Sequence, residues 1–325
     1  MPTAQQITSP RWSGRLSATD LTGLLLVAAM LARVLLSTEL DRPAAQAWGT
    51  VFVAICVQAT PFVVLGVAVS TVIAAAVPAS FFARVLPSRA ALAVPVAGLA
   101  GALLPGCECG SVPIAAGLSR RGVGAGPAVA FLLSAPAINP VVLIATSVAF
   151  PGRPLLVLAR LLASLTTSVV LGWCWSRSGR PLPLRQAPSH QHGGAGRVVT
   201  AAAHDAAQAL SLLVVGAASA ATLNAVLPPA WLGEVASHRI AAVPALAALA
   251  VVLAVCSESD AFIAASLSQF SLTARLAFMV VGPAVDVKLI AMQAGTFGWA
   301  FALRFAPLTW LVALATASLS AAALL

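Results

Sequence analysis

The sequence predicts an all-α protein that crosses a membrane several times, and its composition is the first reason. Of its 325 residues, 60% are hydrophobic and only 8% are charged, and the mean hydropathy is +0.98. Soluble globular chains carry about 25% charged residues. This chain therefore has too few polar side chains to cover a water-exposed surface. Long apolar runs and repeated helix breaks, described next, are the second and third reasons.

Apolar runs long enough to form membrane-spanning helices recur along the whole chain. Spanning a bilayer takes about 20 apolar residues in a helix. The candidate runs are 21–38, 48–77, 126–150, 154–175, 203–227, 275–296 and 299–324. Two shorter runs, 91–105 and 240–256, are each followed by a cysteine-containing break and a short helix-like stretch, at 111–119 and 260–268. Because such short runs suit re-entrant segments as well as spanning ones, we expect seven to nine crossings.

Four segments follow from this pattern. The run at 21–38 is interpreted as a retained first helix, because Arg33 interrupts it and no clean signal-peptide cleavage site follows. The stretch 176–199 is rich in Pro, Gly and Arg and has no acidic residue, which is typical of a flexible cytoplasmic linker. Its His190 and His192 are interpreted as linker residues rather than metal ligands. The predicted segments are an N-terminal tail with the first helix (1–47), a first half (48–175), the linker (176–199) and a second half (200–325).

The two halves repeat a pattern of helix breaks. Cys107 and Cys256 lie 149 residues apart. An offset of 149 or 147 also aligns later pairs, namely Ser111 with Asp260, Phe131 with Phe278, Pro136 with Pro283 and Asn139 with Asp286. Matched breaks are typical of transporters in which the broken helices of two repeats meet near the membrane midplane. The sequence leaves parallel and inverted repeats open, although fewer basic residues in the second-half loops favour inversion.

The first break contains a pair of thiols in the stretch "PGCECGSVP". Side chains two residues apart diverge by roughly 200° on a helix but share a side in an extended segment. Binding of one ion or solute by both Cys107 and Cys109 therefore requires an unwound backbone. We expect Ser111 to cap a new helix, with Pro113 in its first turn.

The second break repeats this arrangement with more acidic chemistry. Thiolates select soft cations and metalloids, and acids inside a membrane usually face a cavity or a partner. The predicted substrate site combines three thiols as candidate metalloid ligands with three carboxylates that set its charge or relay protons: Cys107, Cys109, Cys256, Glu108, Glu258 and Asp260. Two alternatives stay open. The cysteines are small packing residues, or the acids lie at the membrane interface.

Three polar residues in apolar surroundings complete the predicted site: Asn139, Asp286 and Lys288. They either line a pathway where helices unwind at Pro136 and Pro283, or hold helices together through an ion pair. In the second case Asp286 pairs with Lys288, or with an arginine such as Arg160 or Arg304. No nucleotide-binding loop and no basic patch with interleaved aromatic residues occurs, so neither a cofactor nor a nucleic acid is expected.

These motifs resemble those of a known family. The stretches "PGCECGSVPIAAGLSRRGVGAGPAVAFLLSAPAINPVVL", "CSESDAFIAASL" and "GPAVDVKLI" resemble the bacterial predicted-permease family that includes the organoarsenical efflux permeases. The resemblance implies a polytopic inner-membrane protein, and some members are implicated in exporting trivalent methylated arsenicals. The positions that look typical are Cys107, Cys109, Pro113, Pro136, Asn139, Pro140, Cys256, Asp260, Pro283, Asp286 and Lys288. Glu108, where a small polar residue is expected, and the short Arg-rich linker depart from the pattern.

The sequence thus predicts a permease rather than an enzyme. The favoured function is secondary export of a small thiophilic solute, such as a trivalent organoarsenical, through a cysteine-lined midplane site. Its expected partners are the lipid bilayer and the solute, and a homo-oligomer is one option for its assembly. One alternative is a permease for an unrelated solute with redox-sensing cysteines. Another is a membrane thiol oxidoreductase. The sequence offers no second, loop-exposed cysteine pair to which such an enzyme could pass electrons.

Overall fold

The computed structural model describes residues 43–76, 87, 89–103, 108–184, 195–226 and 239–325. The chain divides into two units, Met1–Ala47 and Trp48–Leu325. The first unit is described only from residue 43, where the first described helix begins. The second unit carries every other element reported below. The predicted helix at 21–38, Cys107, His190 and His192 lie outside the described residues.

Regular structure in the described ranges is helical, without strands, so the all-α prediction is confirmed. The helices are α1 (Pro43–Ala76), α2 (Ala90–Ala100), α3 (Glu108–Arg120), α4 (Ala125–Ser134), α5 (Pro140–Ala149), α6 (Pro154–Ser178), α7 (Ala195–Val226), α8 (Arg239–Leu253), α9 (Asp260–Ser266), α10 (Leu272–Ala284), α11 (Val287–Phe297) and α12 (Trp299–Leu324). A short 3₁₀ turn, Gly101–Leu103, follows α2.

Several helical segments are long and apolar enough to cross a membrane. Among the described residues these are Ala45–Val72, Pro154–Ser178, Ala202–Thr222, Leu272–Phe297 and Trp299–Leu324. The segment Leu272–Phe297 is 83% buried, against 28% for Ala45–Val72 and Trp299–Leu324, so it lies in the interior of the helix assembly. Large aliphatic side chains such as Val57 and Leu319 are exposed on the outer helices, as lipid contact requires.

Two predicted continuous spans are each divided into two helices. The run 126–150 becomes α4 and α5, and the Asn139 side chain caps α5 by accepting a hydrogen bond from Val142 N at 2.9 Å. The run 275–296 becomes α10 and α11, and Asp286 caps α11 by accepting one from Leu289 N at 2.6 Å. The expected unwinding near Pro136 and Pro283 is therefore present, and at both places a polar side chain caps the helix that follows.

The start of α3 also differs from expectation. The helix begins at Glu108 rather than after Ser111, and the Ser111 hydroxyl donates to the Glu108 carbonyl oxygen at 2.8 Å. Ser111 therefore lies inside the first turn and does not cap the helix, and Cys109 is helical. Pro113 is the sixth residue of α3, so it lies inside the helix rather than in the expected first turn, and it removes one intrahelical hydrogen bond.

Helices α6 and α12 pack together in antiparallel directions. Near the C-terminal end of α6, the Trp175 ring contacts the rings of Phe301 and Phe305 near the start of α12, at centroid distances of 5.1 and 6.1 Å. Further back along α6, the hydroxyls of Thr167 and Thr316 lie 2.6 Å apart. Moving toward the N-terminus of α6 therefore means moving toward the C-terminus of α12.

Corresponding helices of the two predicted halves make corresponding contacts. Helix α2 packs against α4 as α8 packs against α10, and α4 packs against α6 as α10 packs against α12. Across the halves, α3 contacts α11 and α9 contacts α5. Each of the short helices α3 and α9 thus lies against the helix that Asp286 or Asn139 caps in the opposite predicted half. This crossing arrangement brings the helix breaks next to one another.

Candidate substrate site at the helix breaks

The ammonium group of Lys288 lies at the centre of the breaks and is fully buried. Its Nζ atom is 2.6 Å from Glu108 Oε1 and 3.2 Å from Asp286 Oδ2. It also donates a hydrogen bond to the Ala254 carbonyl oxygen at 2.7 Å and lies 3.9 Å from Cys256 Sγ. Glu108 belongs to the first predicted half and the other groups to the second, so Lys288 contacts residues of both predicted halves.

Local backbone features place Lys288 in this position. It is the second residue of α11, directly after the Asp286 cap. A Cβ atom added to Gly216 of α7 would lie 2.6 Å from Lys288 Cα, so only glycine lets the two helices approach this closely. Ala254 adopts a φ of 48°, an unfavourable left-handed conformation for a residue with a Cβ. This strained residue supplies the carbonyl that Lys288 contacts.

A second buried ion pair links the halves in the opposite sense. Arg160 of α6 donates to Asp260 Oδ2 at 2.7 Å, and both side chains are buried. Arg160 also donates to Thr146 Oγ1 at 2.7 Å and to the Ser257 carbonyl oxygen at 3.3 Å. Each half therefore contributes one acid and one base to the two ion pairs. The acids Glu108 and Asp260 are the first residues of the short helices α3 and α9.

Ser257 joins these two ion pairs into one polar network. Its carbonyl oxygen accepts from Arg160, and its hydroxyl donates to Glu108 Oε2 at 3.3 Å. Burial strengthens such interactions and makes an unpaired charge costly. The network therefore runs without interruption from Arg160 to Lys288 through Ser257, which lies in the break between α8 and α9.

Two cysteines from different halves lie beside this network. Cys109 is fully buried and Cys256 is 3% exposed, and both are thiols in the structure. Both interact electrostatically with the ammonium of Lys288. Cys107 precedes the described start of α3. Cys256 Sγ therefore lies beside the Lys288 ammonium, and Cys109 is the neighbour of Glu108, whose carboxylate contacts the same ammonium.

Glu258 lies at the edge of the network and is half-buried. It is within electrostatic range of Glu108, Lys288 and Arg160. Its buried Oε2 atom accepts no hydrogen bond from the part of the chain that the structure describes. The neighbouring Ser259 hydroxyl accepts from Gln58 Nε2 of α1 at 3.4 Å, in exposed surroundings. The Glu258 side of the network is therefore its more open side.

Acidic groups outnumber basic ones in this region. The acids are Glu108, Glu258, Asp260 and Asp286, and the bases are Arg160 and Lys288. When all are ionised, the region carries a surplus of negative charge within a hydrophobic protein, which favours the presence of a cation. Within the described ranges, no three or more His, Cys, Asp or Glu residues are arranged to hold a metal ion.

The chain matches a known family along most of its length. The family model ArsP_1, described as "Predicted permease", matches residues 45–321. The chain belongs to this predicted-permease family. It is 34% identical over 258 residues to the UPF0718 protein YcgR of Bacillus subtilis (strain 168), an alignment that covers 76% of this chain and 88% of the relative.

A second relative of this ArsP_1 permease is the "Putative two-component membrane permease complex subunit" of Streptococcus mutans. It is 29% identical over 266 residues, covering 78% of this chain and 88% of the relative. No solved structure matches the chain. The family and the apolar helices together show that the chain is a multi-pass membrane permease, and the bacterial relatives agree with an inner-membrane location.

The permease brings most of the predicted site residues into one region. Glu108, Cys109, Cys256, Glu258, Asp260, Asp286 and Lys288 are connected by the contacts given above. Asn139 has a different role in its described contacts, because it caps α5 and donates from Nδ2 to the Ala135 carbonyl oxygen at 3.3 Å. The expected alternative of an Asp286–Lys288 pair is present, whereas Arg304 is exposed and Arg160 pairs with Asp260 instead.

Sequence reasoning did not assign three members of the network to the site: Arg160, Thr146 and Ser257. Arg160 interrupts an apolar helix, and a charged residue within a membrane span is a functional signal by itself. Thr146 and Ser257 carry no such signal, because Ser and Thr are common in membrane helices. Their importance follows only from the position of the Arg160 guanidinium, which contacts both.

Proposed function

We propose that this permease exports a small thiophilic solute, such as a trivalent organoarsenical, through the cluster at the helix breaks. The observation that carries the proposal is that Cys256 Sγ lies 3.9 Å from Lys288 Nζ, while Cys109 directly follows Glu108, whose carboxylate contacts the same ammonium. Both thiols are buried; Cys109 is the second residue of α3, and Cys256 lies in the break between α8 and α9. A solute that binds both sulfur atoms would contact both halves at once.

The chemistry of trivalent arsenic suits such a pair of thiols. An arsenic–sulfur bond forms as an arsenic–oxygen bond breaks, and the released hydroxide leaves with the thiol proton as water. The second thiol reacts in the same way, so capture needs no oxidant or reductant. Sulfur ligands favour soft centres of this kind. Cys107, two residues before Cys109, is the candidate for a third sulfur ligand.

The polar residues of the site supply the charge environment for this exchange. In the proposal, Glu108, Glu258 and Asp260 set the charge of the site and relay protons to and from the departing water. Asn139, Asp286 and Lys288 line the solute pathway where the chain is interrupted between α4 and α5 and between α10 and α11. The supporting observation is that Glu108 and Asp286 both contact Lys288, while Glu258 lies on the open side of the network.

We also propose that residues 48–175 and 200–325 are inverted repeats joined by the linker 176–199. A buried hydrogen bond between Ser257 and Glu108 joins residues 149 apart, the same offset as Cys107 and Cys256 in this part of the repeat. A residue that touches its own repeat counterpart lies close to the axis relating the repeats. Because α6 and α12 are antiparallel, that axis is perpendicular to them and lies in the membrane plane.

Inverted repeats of this kind support alternating access, in which one half rocks against the other. The Glu108–Lys288 and Arg160–Asp260 pairs join the halves, so at least one of them must separate when the halves move. In the proposal, binding of the solute to the thiols offsets the loss of these contacts. The site then opens to the opposite side of the membrane.

The test is resistance and uptake in a bacterial host that lacks its own arsenic defences. Cells carrying the wild-type gene should grow in methylarsenite, and everted membrane vesicles should accumulate it. Cys107→Ser, Cys109→Ser and Cys256→Ser should each lose this activity while the protein level in the membrane stays normal. Cys174→Ser is the matched control, since Cys174 is exposed on α6 and lies outside the network.

Full resistance in both the Cys109→Ser and Cys256→Ser strains would refute the proposal. A panel of arsenite, methylarsenite, antimonite and common metal ions identifies the solute class. Transport that survives replacement of the cysteines but loses its response to an oxidant would favour an unrelated solute with redox-sensing thiols instead.

The assembly of the permease is a separate proposal. The name of the Streptococcus mutans relative describes a subunit of a two-component complex. We propose that the chain assembles either with a second subunit or as a homo-oligomer. Purification of a tagged chain from its native membrane, followed by mass measurement of the intact complex, distinguishes these two arrangements from a monomer.

A further inference from the structure

We propose that the shell around Lys288 Nζ is a binding site for a small monovalent cation, and that the Lys288 ammonium takes the place of that cation in this conformation. The role of the site in a transport cycle rests on the proposed function. The existence of the site does not, because it follows from the groups that surround Nζ.

The ligands around Nζ are those of a cation site. They are two carboxylate oxygens at 2.6 and 3.2 Å, a main-chain carbonyl oxygen at 2.7 Å and a sulfur atom at 3.9 Å. They come from three separate breaks in the helical structure. The Lys288 ammonium has three N–H donors, and these three oxygen atoms satisfy them in a shell that would also suit another small cation.

The charge of the shell points in the same direction. Glu108 and Asp286 bring two negative charges, and Lys288 brings one positive charge, so the fully ionised shell keeps one negative charge. All three side chains are fully buried. An uncompensated charge in a low-dielectric interior strongly attracts a counter-ion. If Lys288 withdraws, the shell carries two negative charges and its affinity for a cation rises.

The protein holds this shell in place against local strain. Ala254 keeps a φ of 48° while its carbonyl oxygen contacts Nζ. Among the described residues, it is the single non-glycine residue with a positive φ. Strained backbone persists where the surrounding structure fixes it, and such positions cluster at functional sites. The close approach of Gly216 to the Lys288 backbone fixes the other side.

In the proposal, a cation reaches the shell from the side of Glu258. It is half-buried, and it interacts electrostatically with both Glu108 and Lys288. In a transport cycle, a cation that enters past Glu258 replaces the Lys288 ammonium between Glu108 and Asp286. This exchange releases the link between the halves, so the cation serves as the coupling ion.

The experiment replaces Lys288 with alanine and asks whether small cations fill the vacated position. Purified Lys288→Ala protein is heated in choline chloride, and choline is replaced by methylammonium, sodium or potassium at constant ionic strength. At least one small cation should raise the melting temperature by about 2 to 5 °C. The wild-type protein should not respond, because its own ammonium fills the shell. Glu108→Gln/Lys288→Ala should show a smaller rise.

The idea is overturned if no small cation stabilises Lys288→Ala more than choline does. If that variant cannot be purified, Glu108→Gln/Lys288→Ala is compared with Glu108→Gln/Asp286→Asn/Lys288→Ala. The first should respond to small cations and the second should not, and equal responses contradict the proposal. No arsenical is present, so a negative result here leaves the export proposal standing, and a failed resistance test leaves this site standing.

Discussion

Glu108 of α3 and Lys288 of α11 lie 2.6 Å apart with both side chains fully buried, and they join the two predicted halves of the permease. Asp286 contacts the same ammonium at 3.2 Å from its own helix cap. The first residue of α3 and the residue that caps α11 therefore both contact the Lys288 ammonium. Each of the following predictions tests a part of this arrangement.

Removing Lys288 alone is expected to destabilise the protein more than removing both members of the pair. Lys288→Met leaves two buried carboxylates without their cation, and breaking a buried pair costs about 3–5 kcal/mol. Glu108→Gln/Lys288→Met should recover part of that loss. The measurement is the melting temperature followed by fluorescence-detected size-exclusion chromatography. Equal losses in the single and double variants would contradict the pairing.

Arg160→Lys is expected to weaken the second ion pair although it keeps the charge. Arg160 donates to Thr146 from one guanidinium nitrogen and to Asp260 from another. The lysine side chain is shorter and has a single nitrogen atom, so it cannot make both contacts with this geometry. We expect a loss of about 1–3 kcal/mol from the groups left without a donor. Arg304→Lys, at an exposed position on α12, is the control and should unfold at the wild-type temperature. A matching loss in both variants would argue against a special role for Arg160.

Gly216→Ala is expected to disturb the position of Lys288. The new Cβ would lie 2.6 Å from Lys288 Cα and 3.0 Å from its Cβ, so α7 and α11 must separate. Such overpacking costs about 1–3 kcal/mol. Gly49→Ala is the matched control, because no atom lies within 4 Å of the position that its new methyl group would take. Melting temperatures of the two variants give the comparison, and an unaffected Gly216→Ala protein would show that the helices are not in close contact.

Cysteines placed at Thr167 and Thr316 are expected to form a disulfide on mild oxidation. Their hydroxyl oxygens are 2.6 Å apart across the α6–α12 contact. The double variant, made in a background without the native cysteines, should migrate faster on a non-reducing gel after oxidation. The control pair is Thr167→Cys with Leu319→Cys, since Leu319 is 70% exposed on α12. Cross-linking only in the control pair would contradict the Thr167–Thr316 contact, one of the contacts from which the antiparallel packing of α6 and α12 follows.

Much of the site was predictable because polar residues are rare in this chain. Cys109, Glu108, Cys256 and Asp260 stand out in apolar surroundings, and the structure brings them into one region. The start of α3 was not predictable from local preferences, since Ser111 is a good capping residue and yet lies inside the first turn. Tertiary contacts between Glu108 and Lys288 compete with the capping preference at this end of the helix.

Average hydropathy does not show where two of the predicted spans divide. The runs 126–150 and 275–296 are apolar on average, which favours one helix in each, although Pro136 and Pro283 indicated that they unwind. Asn139 and Asp286 end that continuity by bonding to main-chain N–H groups three residues ahead. Their side chains compete with the helix for those donors, a local effect that an average over many residues does not register.

By itself, the sequence determined that this protein is an all-α membrane protein, and its motifs indicated the permease family to which it belongs. The reason is that a bilayer requires an apolar composition and a minimum length of every segment that crosses it, and both properties can be read from the sequence. Only the tertiary structure decided which charges meet: Glu108 with Lys288, and Arg160 with Asp260. Buried charges are neutralised by whatever lies nearest in space, and that nearness depends on how α3 and α9 pack against α11 and α5, across the two halves.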